Sequence, residues 1–432
     1  MFHTLASWRR TTGGLVAAAA ILCAGHDVSA QAAPPALAIE DCVRLALQTP
    51  ARQSLARASL EVWTERERSA QAGLRPNVRA HANASYAPLS GYDPALTDGG
   101  DAGVRVGVEQ PLYDGGRTRG EVHLARAGAG QARADQAVAD ADLALEVRLA
   151  FIDRWALVQR TRVLDRAVVS LGAESETSER LVRGGAGLRS DALRLAAQLA
   201  AERAELAAAR GEVRAAQARL AVAMGVDPNA LGALEDTVRL APLAADWNGA
   251  HAVDVLQAAQ ATEVAQLETR ARRADRAPRM ALQGDAGTWS SVERWRRSGF
   301  DPGWGYQVGV SFEMPLWDGG ALAGRRSAAE AEVRARQATE QLTRQRAQAI
   351  DQAERSARDA ALERAAGMQQ AEAWAAKAAE LVHTRWAGGA ASGIEVLEAH
   401  RARTEFALAR IDAAAEAARA QARSLRAGGG TP

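Results

Sequence analysis

Between Val78 and Tyr86 the chain alternates strictly, with Val78, Ala80, Ala82, Ala84 and Tyr86 on one side and Arg79, His81, Asn83 and Ser85 on the other. A period of two predicts a strand with one apolar and one polar face. A turn-rich stretch from Ser90 to Gly103 follows, and alternation resumes with Val104, Val106 and Val108 against Arg105, Gly107 and Glu109. The pattern returns late in the chain, loosely around Met280 to Thr288 and then cleanly with Tyr306, Val308, Val310 and Phe312 against Gln307, Gly309, Ser311 and Glu313. These predict two strand pairs, at about 77–112 and about 279–316, each opening after a proline and each carrying a long loop.

After Asp114-Gly115-Gly116, and again after Asp318-Gly319-Gly320, the period changes to that of long, alanine-rich helix. About 65 such residues at 1.5 Å each make a helix near 100 Å long, too long to wrap one globular core. Each predicted helix meets a glycine turn, Arg183 to Gly187 or Ala387 to Ser392, and a second helix heads back, giving hairpins at about 117–225 and about 321–427. In the return helices Leu199, Leu206, Val213 and Leu220 recur every seven residues, and Ile394, Leu397, Thr404, Leu408 and Ile411 step by three and four with one gap at Arg401. Both read as coiled-coil seams, and the abundant alanine lets neighbouring helices approach closely.

The two halves share one plan. VRVGVEQPLYDGG at Val104 to Gly116 and VGVSFEMPLWDGG at Val308 to Gly320 lie 204 positions apart. The same offset carries Gly184-Gly185 onto Gly388-Gly389, Asp191 onto Glu395 and Leu193 onto Leu397. Two motifs in one register define an internal duplication, with a first repeat over 31–240 and a second over 241–432.

The first 30 residues carry Arg9 and Arg10, an apolar run from Leu15 to Ala24, and Val28-Ser29-Ala30 before Gln31, the layout of a cleaved secretory signal. The apolar run is too short to span a bilayer. Cys23 lies within the signal, so Cys42 is alone and neither an internal disulfide nor a cysteine metal cage can form. With a net charge of +1, the chain lacks the basic surplus that nucleic acid requires. The enzyme signatures G-x-S-x-G, H-E-x-x-H, P-loop and G-x-G-x-x-G are all missing, and the seven histidines have no metal-ligand spacing. The residues predict no catalytic site, metal or cofactor.

No later stretch is apolar and long enough for a membrane helix, so a membrane-spanning form must be a barrel. Four strands cannot close one, and an open edge in lipid leaves backbone groups unpaired at several kcal/mol each. Two copies would give eight strands and three would give twelve, both permitted even numbers.

The QPLYDGG and MPLWDGG motifs, the LAVAMGVDPNAL segment at Leu220 to Leu231, GIEVLEA at Gly393 to Ala399 and LAIEDCVRLALQTP at Leu37 to Pro50 together resemble the TolC-like outer-membrane efflux family. That resemblance implies a mainly α protein with a membrane β-barrel: duplicated β-β-α-α units, a homotrimeric twelve-stranded barrel in outer-membrane lipid, and a long α-helical periplasmic tunnel. It implies a passive exit duct for a tripartite efflux or type I secretion system, served by a periplasmic adaptor and an inner-membrane transporter of the RND or ABC type. Glu395 and Glu398, three apart on one helix face, stand where the family narrows its tunnel with acidic residues. Threefold symmetry would gather six carboxylates there, raising some of their pKa values and favouring cations.

Ser190, Asp191 and Trp386 stand where the family latches one coil to the next; the Trp386 indole N–H is a candidate donor toward Asp191, and buried packing is the other, commoner role for a lone Trp. The turn residues Gly184, Gly185, Gly187, Leu188, Gly388 and Gly389 are the implied adaptor contacts. This chain departs from the family's arginine at the second turn, where it has Ala391, and Arg183 and Arg189 are the candidate substitutes. Pro111 and Pro315 are expected to mark the strand-to-helix bends. The rival reading from another class is a periplasmic coiled-coil adaptor or structural envelope protein, which explains the hairpins and the signal but not the paired strands.

Overall fold

The computed structural model describes residues 36–86, 100–229, 231–240, 252–291, 294, 296–297, 299 and 303–428. The expected secretory signal at 1–30 and most of the loop after Tyr86 lie outside the described residues. Among the described residues the elements run α1 (Ile39–Leu47), α2 (Pro50–Ala72), β1 (Asn77–Ala84), β2 (Asp101–Tyr113), α3 (Arg117–Arg183), α4 (Arg189–Met224), α5 (Val253–Arg273), β3 (Arg279–Ser291), β4 (Gly303–Glu313), α6 (Ala321–Ala387) and α7 (Gly393–Gly428). The offset of 204 maps both ends of α3 onto α6 and both ends of α4 onto α7 without a residue's drift.

The strands form one antiparallel sheet in the order β1-β2-β3-β4. Its two hairpins are joined along β2 and β3, while β1 and β4 are left as the edges. β2 contains Pro111, at a register shift against β3 between Pro111 and Tyr113. Pairing with β1 ends at Glu109, so the missing proline N–H falls on the side that β1 has already left.

β2 runs through Pro111 to Tyr113, whereas β4 stops at Glu313, just before Pro315, and both long helices start directly after the Asp-Gly-Gly motifs, as expected. Gly115 and Gly116 have φ of 67° and 85°, and Gly319 and Gly320 have 65° and 92°, values that glycine adopts without steric cost. Asp114 accepts from the backbone N–H groups of Gly116 at 2.9 Å and Thr118 at 2.7 Å, and Asp318 likewise accepts from Gly320 and Leu322. Each aspartate thus satisfies N–H groups that the first turn leaves unpaired.

α3 and α6 have 67 residues each and reach about 100 Å, whereas α4 and α7 have 36 and return only about half that distance. The places vacated toward the sheet are filled by α2 against α3 and by α5 against both long helices. Where the short helices stop, α1 inserts Cys42, Val43 and Ala46 against Leu143, Val147, Phe151, Leu220 and Met224 in the largest apolar cluster. Burial there pushes the Cys42 thiol up to about 11, so it stays a protonated apolar filler. Nearby, Arg148 is buried and paired with Glu40 at 2.8 Å, tying α1 to α3.

α3 also packs Ile152, Ala156 and Val163 against Ala407, Ile411, Ala415, Ala418 and Ala422 of α7, the alanines allowing close approach. The seam on α4 is fuller than the heptad leucines alone suggested. Leu195, Leu199, Glu202, Leu206, Ala209, Ala216 and Leu220 are all buried at three- and four-residue steps, with Val213 half-buried between them. On α7 the buried line keeps the expected Ile411 but runs through Val396, His400 and Ala407 in place of Leu397, Thr404 and Leu408, and Ile394 is 44% exposed.

Candidate functional site: the sheet and the helical tip

Antiparallel partners share a face, so the register sorts the sheet into rows. One face carries Val78, Val108, Gly284 and Val308, then Ala80, Val106, Ala286 and Tyr306, then Ala82, Val104, Thr288 and Trp304. The other carries Arg79, Gly107, Asp285 and Gln307, then His81, Arg105, Gly287 and Gly305. Polar residues interact across the second face, with Gln307 donating to Asp285 at 3.3 Å and Arg79 4.0 Å from Glu109.

The apolar rows are bare, Tyr306 and Val308 being 73% and 72% exposed. From Trp304 to Phe312 they run about 27 Å along β4, comparable to the roughly 25 Å apolar band of outer-membrane barrels. Aromatic residues bracket them, Trp304 and Tyr306 with rings 5.8 Å apart at the loop end, and Phe312 and Trp317 at the helix end. Among the described residues no helix is long and apolar enough to cross a membrane.

The opposite end of the molecule is the tip, where both helical hairpins turn. Gly185 and Gly389 have φ of 74° and 77°, and the amides of Ala186 and Ala390 reach back to the carbonyls of Leu181 and Arg385 at 2.9 Å and 2.8 Å. This is the left-handed glycine ending of a helix. Gly184 and Gly388 hold the preceding positions, Gly187 sits against Leu181, and Leu188 is 67% exposed at the start of α4.

Of the expected latch residues, Ser190 is exposed at the surface and Asp191 reaches the other hairpin. The Asp191 carboxylate accepts from the backbone N–H of Gly393 at 3.0 Å and lies 4.0 Å from Arg194. Trp386 turns away from this contact into an apolar cluster with Leu171, Leu195, Leu199 and Val396, so it packs the tip interior rather than donating to Asp191.

Glu395 completes a capping box: its carboxylate accepts from the N–H and the hydroxyl of Ser392, both at 3.1 Å, while its own N–H donates back to the Ser392 oxygen at 3.3 Å. The Ser392 N–H, with Arg385 4.0 Å away, holds the Glu395 carboxyl below the usual range. Glu398 is exposed one turn on. The arginine at the second turn is Arg385, which donates to the Ala390 carbonyl at 3.1 Å, and Ala391 packs into the apolar cluster beside it.

Two features escaped the sequence reading. Gly393 supplies the N–H that Asp191 caps, which no side-chain pattern records. Glu202 occupies a seam position between Leu199 and Leu206, a signal present in the heptad but obscured by reading only every seventh residue.

A duplicated chain with a four-stranded sheet, bare on its apolar face, joined to helical hairpins of this length, has the build of a barrel segment carried on a long helical stalk. Residues 45–226 match the family model described as outer membrane efflux protein. The chain's repeated β-β-α-α units on long helical hairpins have the fold of outer-membrane channels. Its fold is similar to that of the outer-membrane protein VceC from Vibrio cholerae, with a TM-score of 0.77 at 20% identity over 91% of this chain and 96% of that one. The CmeC outer-membrane channel of Campylobacter jejuni gives 0.76 at 16% identity, covering 91% and 85% of the two chains. The open state of the Neisseria gonorrhoeae MtrE outer-membrane channel gives 0.70 at 20% identity, covering 91% and 89%. No curated protein matches the sequence. Channels of the family are homotrimers in tripartite systems.

Proposed function

We propose that three copies close the β1 and β4 edges into a twelve-stranded barrel and stack their hairpins into a twelve-helix tunnel whose tip is the gate. The observation that carries this is the pairing of two open strand edges with a continuous bare apolar face. In lipid those edges need partners, and the chain itself supplies complementary ones. Toward the tip each copy contributes α3, α4, α6 and α7, and toward the sheet α2, α3, α5 and α6, so the tunnel wall keeps four helices per copy throughout.

At the tip Glu395 and Glu398 line the constriction, and Asp191 with its Gly393 contact holds it closed. The glycine turns around Gly184, Gly185, Gly187, Leu188, Gly388 and Gly389 meet a periplasmic adaptor, and an inner-membrane transporter of the RND or ABC type supplies energy and selects the substrate. Single-channel conductance in planar bilayers tests this. Small, cation-selective openings are expected for the wild type, and larger, unselective ones for Glu395→Ala/Glu398→Ala. Unchanged conductance in the double variant would remove these two residues from the gate, and no conductance from folded trimers would remove the duct.

A further inference from the structure

Glu202 and His400 meet inside the seam between α4 and α7, with the imidazole Nε2 3.1 Å from both carboxylate oxygens. Their side chains are 8% and 5% exposed. Gln198 donates to Glu202 at 3.3 Å and accepts from Arg401 at 2.6 Å. A buried carboxylate among leucines is costly unless it is paired, so this site is held for something other than packing.

The charged groups that face it come from every neighbouring helix. α3 brings Glu174, bonded to the Ser170 hydroxyl at 3.4 Å, and Arg166; α6 brings His383 and Glu372; α7 brings Arg401 and Arg403. A cavity of about 50 Å³ beside His400, lined in part by Ala167, Ser170, Glu372 and Thr404, leaves the ring room to move.

The duplication describes the seam on the other side of each hairpin. In a trimer with six similar hairpins, the contact between α4 and α7 inside one chain is repeated between α7 and the α4 of a neighbouring copy. Adding 204 to Glu202 and Gln198 gives Phe406 and Ala402, and subtracting 204 from His400 and Arg401 gives Ala196 and Ala197. All four polar members are thereby replaced by alanine or phenylalanine. In the single chain Ala196 and Ala197 are exposed and Phe406 is only half-buried, as positions awaiting a second copy should be.

We infer that the tip contains two unlike seams, an apolar one between copies and a proton-operated clasp, Glu202–His400, inside each chain. This rests on the trimeric reading above. A histidine changes charge between pH 5 and 8. With imidazolium opposite Glu202 the contact is a buried ion pair; with neutral imidazole it is one hydrogen bond beside a buried carboxylate. Burial works against ionisation of Glu202, but the His400 hydrogen bond and charge prevail and hold its carboxyl below the usual range. Acid therefore tightens the intrachain seam, and neutral to alkaline conditions loosen it.

The test is open probability in planar bilayers from pH 5.5 to 8, with trimer formation followed on unheated gels. Wild type is expected to open more often at pH 8 than at pH 5.5. His400→Gln and Glu202→Gln are expected to be flat, and Glu174→Gln to keep the response. A wild-type response surviving in His400→Gln, or one lost only in Glu174→Gln, overturns the clasp. Should His400→Gln fail to trimerise, Glu202→Leu/His400→Leu, which copies the apolar seam, is expected to trimerise without pH dependence; a persisting response there overturns the proposal equally. Wild-type protein that never forms trimers would instead overturn the trimeric reading beneath it.

Discussion

The Asp191 carboxylate receives the backbone N–H of Gly393 at 3.0 Å across 202 residues of sequence. A Cβ at position 393 would lie 2.7 Å from the Asp191 Cβ and 2.9 Å from its carboxylate, so the contact requires glycine. It joins the start of one return helix to the start of the other, and it closes one hairpin tip against its neighbour.

Gly393→Ala is therefore expected to separate the two helix starts without unfolding either. Basal single-channel conductance should rise while the trimer survives on unheated gels. Asp191→Asn, which keeps an oxygen acceptor but loses the charge, should give a smaller rise. Equal conductance in all three proteins would count against the contact as a closing element.

Trp386 fills the tip interior at 5% exposure against Leu171, Leu195, Leu199 and Val396. Trp386→Ala is expected to cost about 3–5 kcal/mol locally, the range for removing a large buried aromatic. Hydrogen exchange at the tip should accelerate more than exchange near α1, and Trp386→Phe should recover most of the protection.

The two faces of the sheet predict opposite tolerances. Val308→Arg places a cation on the apolar face and is expected to cost about 2–4 kcal/mol near the bilayer midplane. Gln307→Arg, one residue away on the polar face, should be tolerated and should alter ion selectivity instead. Heat-modifiable migration of the two variants checks this directly.

Burial works against ionisation of Asp114, yet the Thr118 hydroxyl and the N–H groups of Thr118, Gly116 and Arg117 hold its carboxyl below the usual range. A depressed carboxyl stabilises the fold above its unfolded value, near 3.9, and that stabilisation is lost as pH falls through the folded value. The start of α3 should therefore stay intact at pH 5 and fray only in stronger acid. Asp114→Ala is expected to cost about 1 kcal/mol at neutral pH and to remove this acid sensitivity, read by thermal melts across pH.

Much of the architecture was legible in one dimension. The period-two segments located β1, β2 and β4, the Asp-Gly-Gly motifs marked where strand becomes helix, and the glycine pairs marked the hairpin turns. The 204-residue offset then reproduced the helix ends. These are local signals, set by backbone conformations that only certain residues adopt. The looser alternation around Met280 blurred β3, because Gly284 interrupts the apolar row without a side chain and Gly287 answers to close approach by β2 rather than to a face pattern.

By itself the sequence determined the element types, their order and the duplication, since each depends on residue period, turn chemistry or motif spacing. Only the tertiary structure decided which helix faces meet. It chose Leu171, Leu195, Leu199 and Val396 as the packing partners of Trp386, gave Asp191 a backbone partner, placed Arg385 at the turn and brought Glu202 to His400. Those contacts depend on the rotation and relative slide of four helices, and a one-residue shift in the α7 seam was enough to exchange Leu397 for Val396 in the interior. That rotation is settled by side-chain volume summed along whole helices, a quantity that no local pattern in the chain contains.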